Sequence, residues 1–169
     1  MKVIPLFIVF VLTLPSLSAQ TLSDRLSKDN EQILFSFLLT NKKIVSLCKD
    51  RQGNYLVYRF GTKGKVELEY PKKLDTSSWT AFKLYGVKRW GGAANAGFGD
   101  YSLSFINNGV TYEIFQNWND EVNTSEIGIT IVLGNKKSIL KGNIQTKQGS
   151  LLRFDDEQEK IRNTADDEK

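Results

Sequence analysis

The residues best suited to binding a ligand lie in one glycine-rich stretch, residues 89–100, which reads Arg-Trp-Gly-Gly-Ala-Ala-Asn-Ala-Gly-Phe-Gly-Asp. Four of the 13 glycines of the chain fall in it, which favours positive φ angles and close approach of a second surface. Arg89 offers a planar fork of donors, and Trp90 and Phe98 offer flat apolar area. Arginine with tryptophan is typical of a protein-binding hot spot. The candidate binding residues are Arg89, Trp90, Asn95, Phe98, Asp100 and, in a second aromatic segment, Trp118.

A structural role is the alternative for residues 89–100. In that role Trp90 and Phe98 fold inward and close the end of the fold. Arg89 then pairs with Asp100. A phosphate-binding loop is excluded because the stretch has no Gly-Lys-Ser/Thr ending and its glycines do not follow the dinucleotide-binding spacing. The direction in which Trp90 points, into the core or into solvent, distinguishes a binding surface from a structural closure.

The residue inventory argues against an enzyme, because the chain has no histidine. Ser-His-Asp and Cys-His arrangements and the usual zinc sites are therefore excluded. Two carboxyl groups about 5–9.5 Å apart could cleave a glycosidic bond, but nothing in the sequence brings Asp100, Asp120 and Glu121 together. A calcium site at residues 117–121 lacks the Asp-x-Asp-x-Asp-Gly spacing. We expect no catalytic residue, no metal and no cofactor.

The first 19 residues have the pattern of a secretory signal peptide. Lys2 supplies the positive charge, residues 3–14 are mostly apolar, and the stretch ends in small residues at Ala19. The apolar run is about a dozen residues long, whereas a membrane-spanning helix needs about 20, so an anchor is the weaker alternative. We expect cleavage after Ala19 and a periplasmic or secreted protein without a membrane span.

Residues 20–163 suit a single β-rich domain that is large enough to bury a core without disulfide bonds. The chain holds one cysteine, so an intramolecular disulfide is impossible. Cys48 follows Val45 and Leu47 in a strand-like run, and we expect it to be a small buried hydrophobe. The alternatives are a reactive thiol and an intermolecular bridge.

Two periodicities predict the elements that position these residues. Apolar residues at helical spacing between residues 22 and 39 predict an amphipathic helix that covers a sheet face. Between residues 43 and 145 the period changes to two, which predicts seven or eight short strands. The Asn108-Gly109 dipeptide between two alternating runs is the strongest hairpin signal. Also predicted are a strand at residues 79–88, a polar loop at residues 117–125 and an irregularity at Gly142.

Residues 65–70 alternate most regularly and predict a half-buried strand with one wet face. The two faces are Val66, Leu68 and Tyr70 on one side, and Lys65, Glu67 and Glu69 on the other. We predict that Arg59, on the neighbouring strand, pairs with Glu67 or Glu69 across this wet face. Such an exposed ion pair contributes about 0–1 kcal/mol.

Seven or eight strands with hairpin-length connections predict a mainly β fold, either an antiparallel β-sandwich or a half-open barrel. The N-terminal amphipathic helix and a short C-terminal helical segment complete it. We expect Leu151, Leu152 and Phe154 to dock as a short strand or helical turn. A further helix is expected to reach Asn163, held by Ile161. Residues 164–169 have nothing to bury, and we expect a disordered acidic tail.

Charge is spread unevenly along the chain. Residues 20–154 hold 19 Lys and Arg against 12 Asp and Glu, whereas residues 155–169 hold three against seven. A basic body attracts anionic partners such as nucleic acid, lipid head groups or an acidic protein. The lysines are scattered in pairs rather than clustered, however, which is typical of an ordinary solubilising surface. The export signal further weakens the case for a nucleic-acid partner.

The sequence as a whole predicts a small exported β-rich binding protein. In size and compartment it is similar to the small exported β-proteins that block a lysozyme or neutralise a toxin, a likeness that implies an inhibitor or immunity-type role. We expect a protein partner bound through residues 89–100, and no nucleic acid. One alternative is a glycan- or lipid-binding envelope module, in which Trp90 and Trp118 stack on sugar faces or the site takes an anionic lipid. The other is a carboxylate-based hydrolase.

Overall fold

The computed structural model describes residues 26–163, so the predicted signal peptide, residues 22–25 and the acidic tail lie outside it. The described chain is mainly β, with short 3₁₀ helices at Thr76–Ala81, Ile144–Thr146 and Leu151–Glu157. The strands are β1 (Glu31–Leu38), β2 (Ile44–Asp50), β3 (Leu56–Thr62), β4 (Lys65–Tyr70), β5 (Lys83–Arg89), β6 (Phe98–Asn107), β7 (Val110–Asn119), β8 (Thr124–Leu133), β9 (Lys136–Lys141), β10 (Gln148–Gly149) and β11 (Arg162–Asn163). No helix among these residues is long and apolar enough to cross a membrane.

The strands form two sheets that face each other. One sheet has the order β10-β1-β2-β3-β4, and the other has the order β11-β5-β6-β7-β8-β9. The strand pairings are antiparallel except for the pairing of β11 with β5. The predicted antiparallel β-sandwich is therefore confirmed, and the sheets do not close into a barrel.

Inward-facing side chains of both sheets form one apolar core. Phe105 lies between two other rings in this core, with Tyr70 4.3 Å away and Tyr112 5.0 Å away. Trp79 and Phe154, from two of the 3₁₀ helices, add further buried rings. Because Tyr70 belongs to the first sheet and the other two stacked rings to the second, the stack ties the sheets together.

The sheets are joined at one corner, where Leu39 pairs with Gly142 just beyond β1 and β9. A Cβ atom at Gly142 would lie 2.6 Å from the ring of Phe37. The irregularity predicted at Gly142 is thus the point where β9 ends. Only a residue without a side chain lets the two sheets approach each other there.

The hairpin predicted at Asn108-Gly109 joins β6 to β7. The φ angles of Asn108 and Gly109 are 51° and 77°, both in the left-handed region. A two-residue turn between twisted strands requires this conformation, which asparagine and glycine adopt at low cost. The dipeptide alone was therefore enough to predict the turn.

The predicted helix at residues 22–39 is wrong over the part that the structure describes, because Glu31–Leu38 is strand β1. β1 pairs with β2 and β10, and its register shifts between Ile33 and Phe35. The shift breaks the period of two that marks a strand. Since most of β1 is also buried, its sequence is an apolar run that periodicity does not distinguish from a helix.

The polar loop predicted at residues 117–125 is also wrong. β7 extends to Asn119 and β8 begins at Thr124, so only residues 120–123 form the turn. Trp118 therefore lies within a strand, opposite Gly99 of β6. Cross-strand pairing overrides the turn propensity of the asparagines in this segment.

Two other boundaries differ from the prediction. Residues 79–88 do not begin as a strand, because Trp79 is buried within the 3₁₀ helix Thr76–Ala81. Leu151–Glu157 is helical, so of the two predicted options, a short strand and a helical turn, the helical turn is confirmed. The chain does not continue as a helix to Asn163 but forms the short strand β11.

The ion pair predicted for Arg59 is buried rather than exposed. Arg59 is 1% exposed, and its Nε donates to Glu69 Oε2 at 2.7 Å. Nη1 and Nη2 donate to the two carboxylate oxygens of Glu31 at 2.6 and 2.8 Å. Burial raises the pKa of Glu31, but the hydrogen bonds from Arg59, the Lys28 amide and Tyr55 outweigh it and lower this pKa overall. The predicted pairing with Glu69 is confirmed, and the predicted exposure is wrong.

Cys48 is fully buried, as predicted. It packs with Tyr55 and Val57 in a second, smaller apolar cluster. The thiol also lies 3.2 Å from the Ser46 hydroxyl. Burial and local packing are the features expected of a structural cysteine.

Candidate functional site

Residues 89–100 form the tip of a long hairpin rather than an irregular loop. β5 and β6 pair up to Arg89 and Phe98, and beyond them Gly92 pairs with Asn95. The Gly92 amide donates to the Asn95 carbonyl at 2.9 Å, so the chain reverses at the two alanines between them. The tip, including Asn95, is exposed to solvent.

Three of the four glycines of this stretch, Gly91, Gly97 and Gly99, allow close packing. None of the four has a positive φ, so the expectation of left-handed backbone is wrong here. A Cβ on Gly97 would lie 2.5 Å from Asp120 Oδ2, and a Cβ on Gly99 would overlap the Trp118 ring. The Asp120 amide also donates to the Gly97 carbonyl at 2.9 Å. The predicted close approach of a second surface is confirmed, and that surface is the end of β7 with the turn after it.

Trp118 forms, with Tyr101 and Trp90, a run of three rings that we call the aromatic ladder. The Trp118 ring lies 6.1 Å from Tyr101, with 14° between the ring planes, and 6.3 Å from Trp90. Burial decreases along the ladder, from buried Tyr101 through half-buried Trp118 to Trp90, which is 66% exposed. The alternative in which Trp90 folds inward to close the fold is therefore wrong.

Lys88 and Asp155 hold the base of the ladder. The Lys88 ammonium pairs with the Asp155 carboxylate, and the Tyr101 hydroxyl donates to the same carboxylate at 3.0 Å. The bond to Asp155 raises the pKa of Lys88, and burial together with Asp155 raises the pKa of Tyr101. Lys88 Nζ also lies 5.5 Å from the centre of the Trp90 ring, within cation–π range. Lys88 thus connects the exposed indole to a fixed ion pair.

The sequence reasoning did not identify Lys88, Tyr101 or Asp155 as parts of this site. A signal for Lys88 exists, since alternation along β5 places it on the same face as buried Leu84. No local signal identifies Asp155, because it comes from the 3₁₀ helix Leu151–Glu157, 67 residues away from Lys88 in the chain.

Three other candidate residues lie on the opposite face of the hairpin, as strand alternation requires: Arg89, Phe98 and Asp100. Arg89 and Phe98 are cross-strand neighbours, and the guanidinium carbon lies 5.1 Å from the ring centre. Arg89 Nε and Nη2 donate to the Ala96 carbonyl at 3.3 and 3.0 Å. When the side-chain amide of Asn117 is oriented so that its nitrogen donates a hydrogen bond, this nitrogen lies 2.9 Å from Asp100 Oδ1. Arg89 and Asp100 therefore have separate partners, and the pair expected between them does not form.

Two of the three acidic side chains considered for catalysis, Asp120 and Glu121, are neighbours in the turn between β7 and β8. Asp100 is on the exposed face of β6, whereas Asp120 is in the turn beside Gly97. Within residues 26–163, no three His, Cys, Asp or Glu side chains are grouped so that they could hold a metal ion. The hairpin instead presents an exposed indole backed by two rings and flanked by charges, an arrangement suited to non-covalent binding.

The sequence matches no protein-family model, and neither the curated proteins nor the solved structures contain a match to it. Function is therefore inferred from the geometry of the hairpin and the aromatic ladder.

Proposed function

We propose that this protein binds a protein partner through the tip of the β5–β6 hairpin and the exposed end of the aromatic ladder. The supporting observation is the position of Trp90, which is 66% exposed at a protruding tip and backed by Trp118. Tryptophan and arginine are among the residue types most enriched where binding energy is concentrated. Trp90 and its neighbour Arg89 have that composition.

The surroundings of Trp90 order it before a partner arrives. Lys88 lies over the indole and is itself tied to Asp155. Trp118, the next ring of the ladder after Trp90, is confined between Gly99 and its neighbouring rings. Immobilising a flexible side chain on binding costs about 0.5–1.5 kcal/mol, and a side chain that is already ordered avoids much of this cost. The rigid base therefore favours tight binding at Trp90.

The partner we propose is a protein with an apolar pocket that takes the Trp90 indole. Arg89 and Asp100 are exposed on the other face of the hairpin and would meet polar groups at the rim of that pocket. A protruding hairpin fits a concave partner such as the active-site cleft of an enzyme, which supports an inhibitor or immunity-type role. Export directed by residues 1–19 would place the encounter in the periplasm or outside the cell.

The substitution Trp90→Ala tests this proposal, with Ile106→Ala as the matched control. Ile106 is similarly exposed, at 62%, but it lies on β6 near the end of the strand that is farthest from the hairpin tip. A partner is first captured from the envelope fraction with the wild-type protein, identified, and then titrated against each purified variant. Loss of a hot-spot tryptophan should weaken binding by about 2 kcal/mol or more, roughly 30-fold, while Ile106→Ala binds as the wild type does. Equal affinity of the wild type and Trp90→Ala would refute the proposal.

A glycan is the second candidate ligand for the same tryptophans. The observation that favours it is the 6.3 Å separation of the Trp90 and Trp118 rings, which present neighbouring apolar surfaces. Trp79, the third tryptophan, is buried, so fluorescence changes on adding a glycan report on the other two. Saturable quenching that is lost in Trp90→Ala supports a glycan ligand. A glycan array without binding, from protein that still binds its protein partner, argues against it.

A further inference from the structure

The turn between β7 and β8, together with the first residues of β8, carries the one Asn-x-Ser/Thr sequence of the chain, Asn123-Thr124-Ser125. This pattern is the acceptor sequence for N-linked glycosylation when the middle residue is not proline, as here. Three residues alone occur by chance in many proteins, so the structural context decides whether the pattern has a function. The context required is an exposed surface segment of an exported protein.

The acceptor segment, residues 121–125, is exposed to solvent along its whole length. The side chains of Asn123, Thr124 and Ser125 form no hydrogen bond with the other described residues. An enzyme can therefore reach the Asn123 amide without breaking a contact within the fold. Glu121 is exposed as well and forms no ion pair within the described chain, so the segment also offers a carboxylate for recognition.

The structure of the turn does not depend on the Asn123 side chain. The φ angle of Asn123 is 50°, in the left-handed region that asparagine tolerates better than most residues. The turn is held instead by its neighbours, since the Glu121 amide donates to Asn119 Oδ1 at 2.9 Å. The Asp120 amide also donates to the Gly97 carbonyl at 2.9 Å. The Asn123 amide can therefore be modified while the turn keeps its hydrogen bonds.

We propose that Asn123 is N-glycosylated in the exported protein. The reaction joins Asn123 Nδ2 to C1 of the first sugar of a lipid-linked oligosaccharide. The bond from C1 to the lipid diphosphate breaks, the diphosphate leaves with the bonding electron pair, and the amide loses one proton to water. The hydroxyl of Ser125 is the feature by which a transferase selects this asparagine. The proposal rests on the export predicted from residues 1–19, because the transfer takes place on the exported side of a membrane.

The glycan would lie beside the β5–β6 hairpin without being part of the binding tip. Thr124 pairs with Asn119, which in turn pairs with Phe98 of β6. A glycan at this turn shields Val122, an apolar side chain that is 63% exposed next to Asn123. It also adds a bulky, solubilising group at the surface. Glycosylation and partner binding can therefore be measured separately.

Asn108 is a matched control within the same chain. It is also exposed in a turn between two antiparallel strands, and its φ angle of 51° is close to that of Asn123. Two residues later stands Val110 rather than serine or threonine, so we expect no glycan at Asn108. Val110→Thr completes the acceptor sequence with a side chain of similar shape. We expect this variant to carry a second glycan, at Asn108.

Mass spectrometry of the protein purified from the envelope fraction of the cells that make it tests the proposal. The expected intact mass exceeds that of the polypeptide by one glycan, and peptide sequencing places the glycan at Asn123. A peptide containing Asn123 that is wholly unmodified overturns the proposal. Fractionation separates the two causes: unmodified protein in the envelope overturns the acceptor site alone, whereas unmodified protein retained in the cytoplasm overturns the predicted export as well.

Four variants produced in the same cells locate the site. Ser125→Ala keeps Asn123 and its turn but should lose the glycan, whereas Ser125→Thr should keep it. Val110→Thr should gain a second glycan. Trp90→Ala should be glycosylated as the wild type is, which separates this proposal from the one on partner binding. A glycan retained in Ser125→Ala, or none gained in Val110→Thr, would overturn the inference that exposure and sequence together make Asn123 an acceptor.

Discussion

Replacing Arg59 with Met removes the positive charge at the centre of a buried ion network. Arg59 is 1% exposed and donates to both oxygens of Glu31 and to Glu69. Methionine keeps an unbranched apolar stem but has no hydrogen-bond donor. The Glu31 carboxylate then retains the bonds from the Tyr55 hydroxyl, at 2.9 Å, and the Lys28 amide, at 2.8 Å, without a counter-charge.

The expected loss of stability follows from this burial. Removing one partner of a buried ion pair costs about 3–5 kcal/mol, and the two bonds that Glu31 retains place Arg59→Met near the lower end, about 3 kcal/mol. A domain of about 150 residues loses about 2–4 °C in Tm per kcal/mol, so Tm should fall by about 6–12 °C. The exposed pair predicted from the sequence would instead cost about 0–1 kcal/mol.

Urea unfolding and calorimetry of four proteins measure the effect: the wild type, Arg59→Met, Glu69→Gln and the double variant Arg59→Met/Glu31→Gln. Glu69 is 25% exposed, so its substitution should cost less than about 1 kcal/mol. The double variant should be more stable than Arg59→Met alone, because it leaves no unpaired carboxylate in the interior. A loss below 1 kcal/mol for Arg59→Met, or a double variant less stable than the single, would show that solvent screens this network.

Acid should destabilise the protein through Glu31 and Glu157. Burial raises the pKa of each, but Arg59 at Glu31 and two lysines at Glu157 outweigh burial and lower both below the ordinary value of 4.5. The unfolded chain therefore takes up protons first, so the stability from these groups is fully present above pH 4.5 and falls as the pH drops through the folded-state values. Urea midpoints measured between neutral pH and acid should show this fall, and a flat profile would contradict it. Gly99→Ala should cost about 1–3 kcal/mol and change the near-ultraviolet circular dichroism, because the new methyl overlaps the Trp118 ring. Gly92→Ala is its control, since a Cβ there meets nothing within 4 Å, and equal losses for the two variants would refute the packing argument.

Local patterns were sufficient to predict much of the sheet structure. β4, at Lys65–Tyr70, has the predicted bounds because alternating apolar and polar residues are typical of an antiparallel strand. The two predicted faces are interrupted, however, because the register against β3 shifts between Leu68 and Val66, and Val66 is 46% exposed. The Asn108-Gly109 turn was predictable because its left-handed backbone suits few other residues. Strand β1 was not, since it is buried on both faces and interrupted by a register shift.

The candidate site was only partly accessible from the sequence. Trp90 and Trp118 were identified by composition, but their contact depends on a strand that was expected to be a loop. Two reasons were predicted for the glycines of residues 89–100: positive φ angles and close approach of a second surface. Only the close approach is confirmed. Lys88 and Asp155 are 67 residues apart in the chain and meet only in the folded structure, so no local sequence pattern could predict their ion pair.

The sequence by itself determined the class of the fold, the sheet periodicity and the absence of histidine chemistry, because these follow from residue types and from spacing over a few residues. Only the tertiary structure decided that Trp90 points into solvent, that Arg59 is buried and paired with two carboxylates, and that Lys88 pairs with Asp155. Each of these depends on which strands become neighbours. Burial and register are properties of that pairing, and a strand read alone does not contain them.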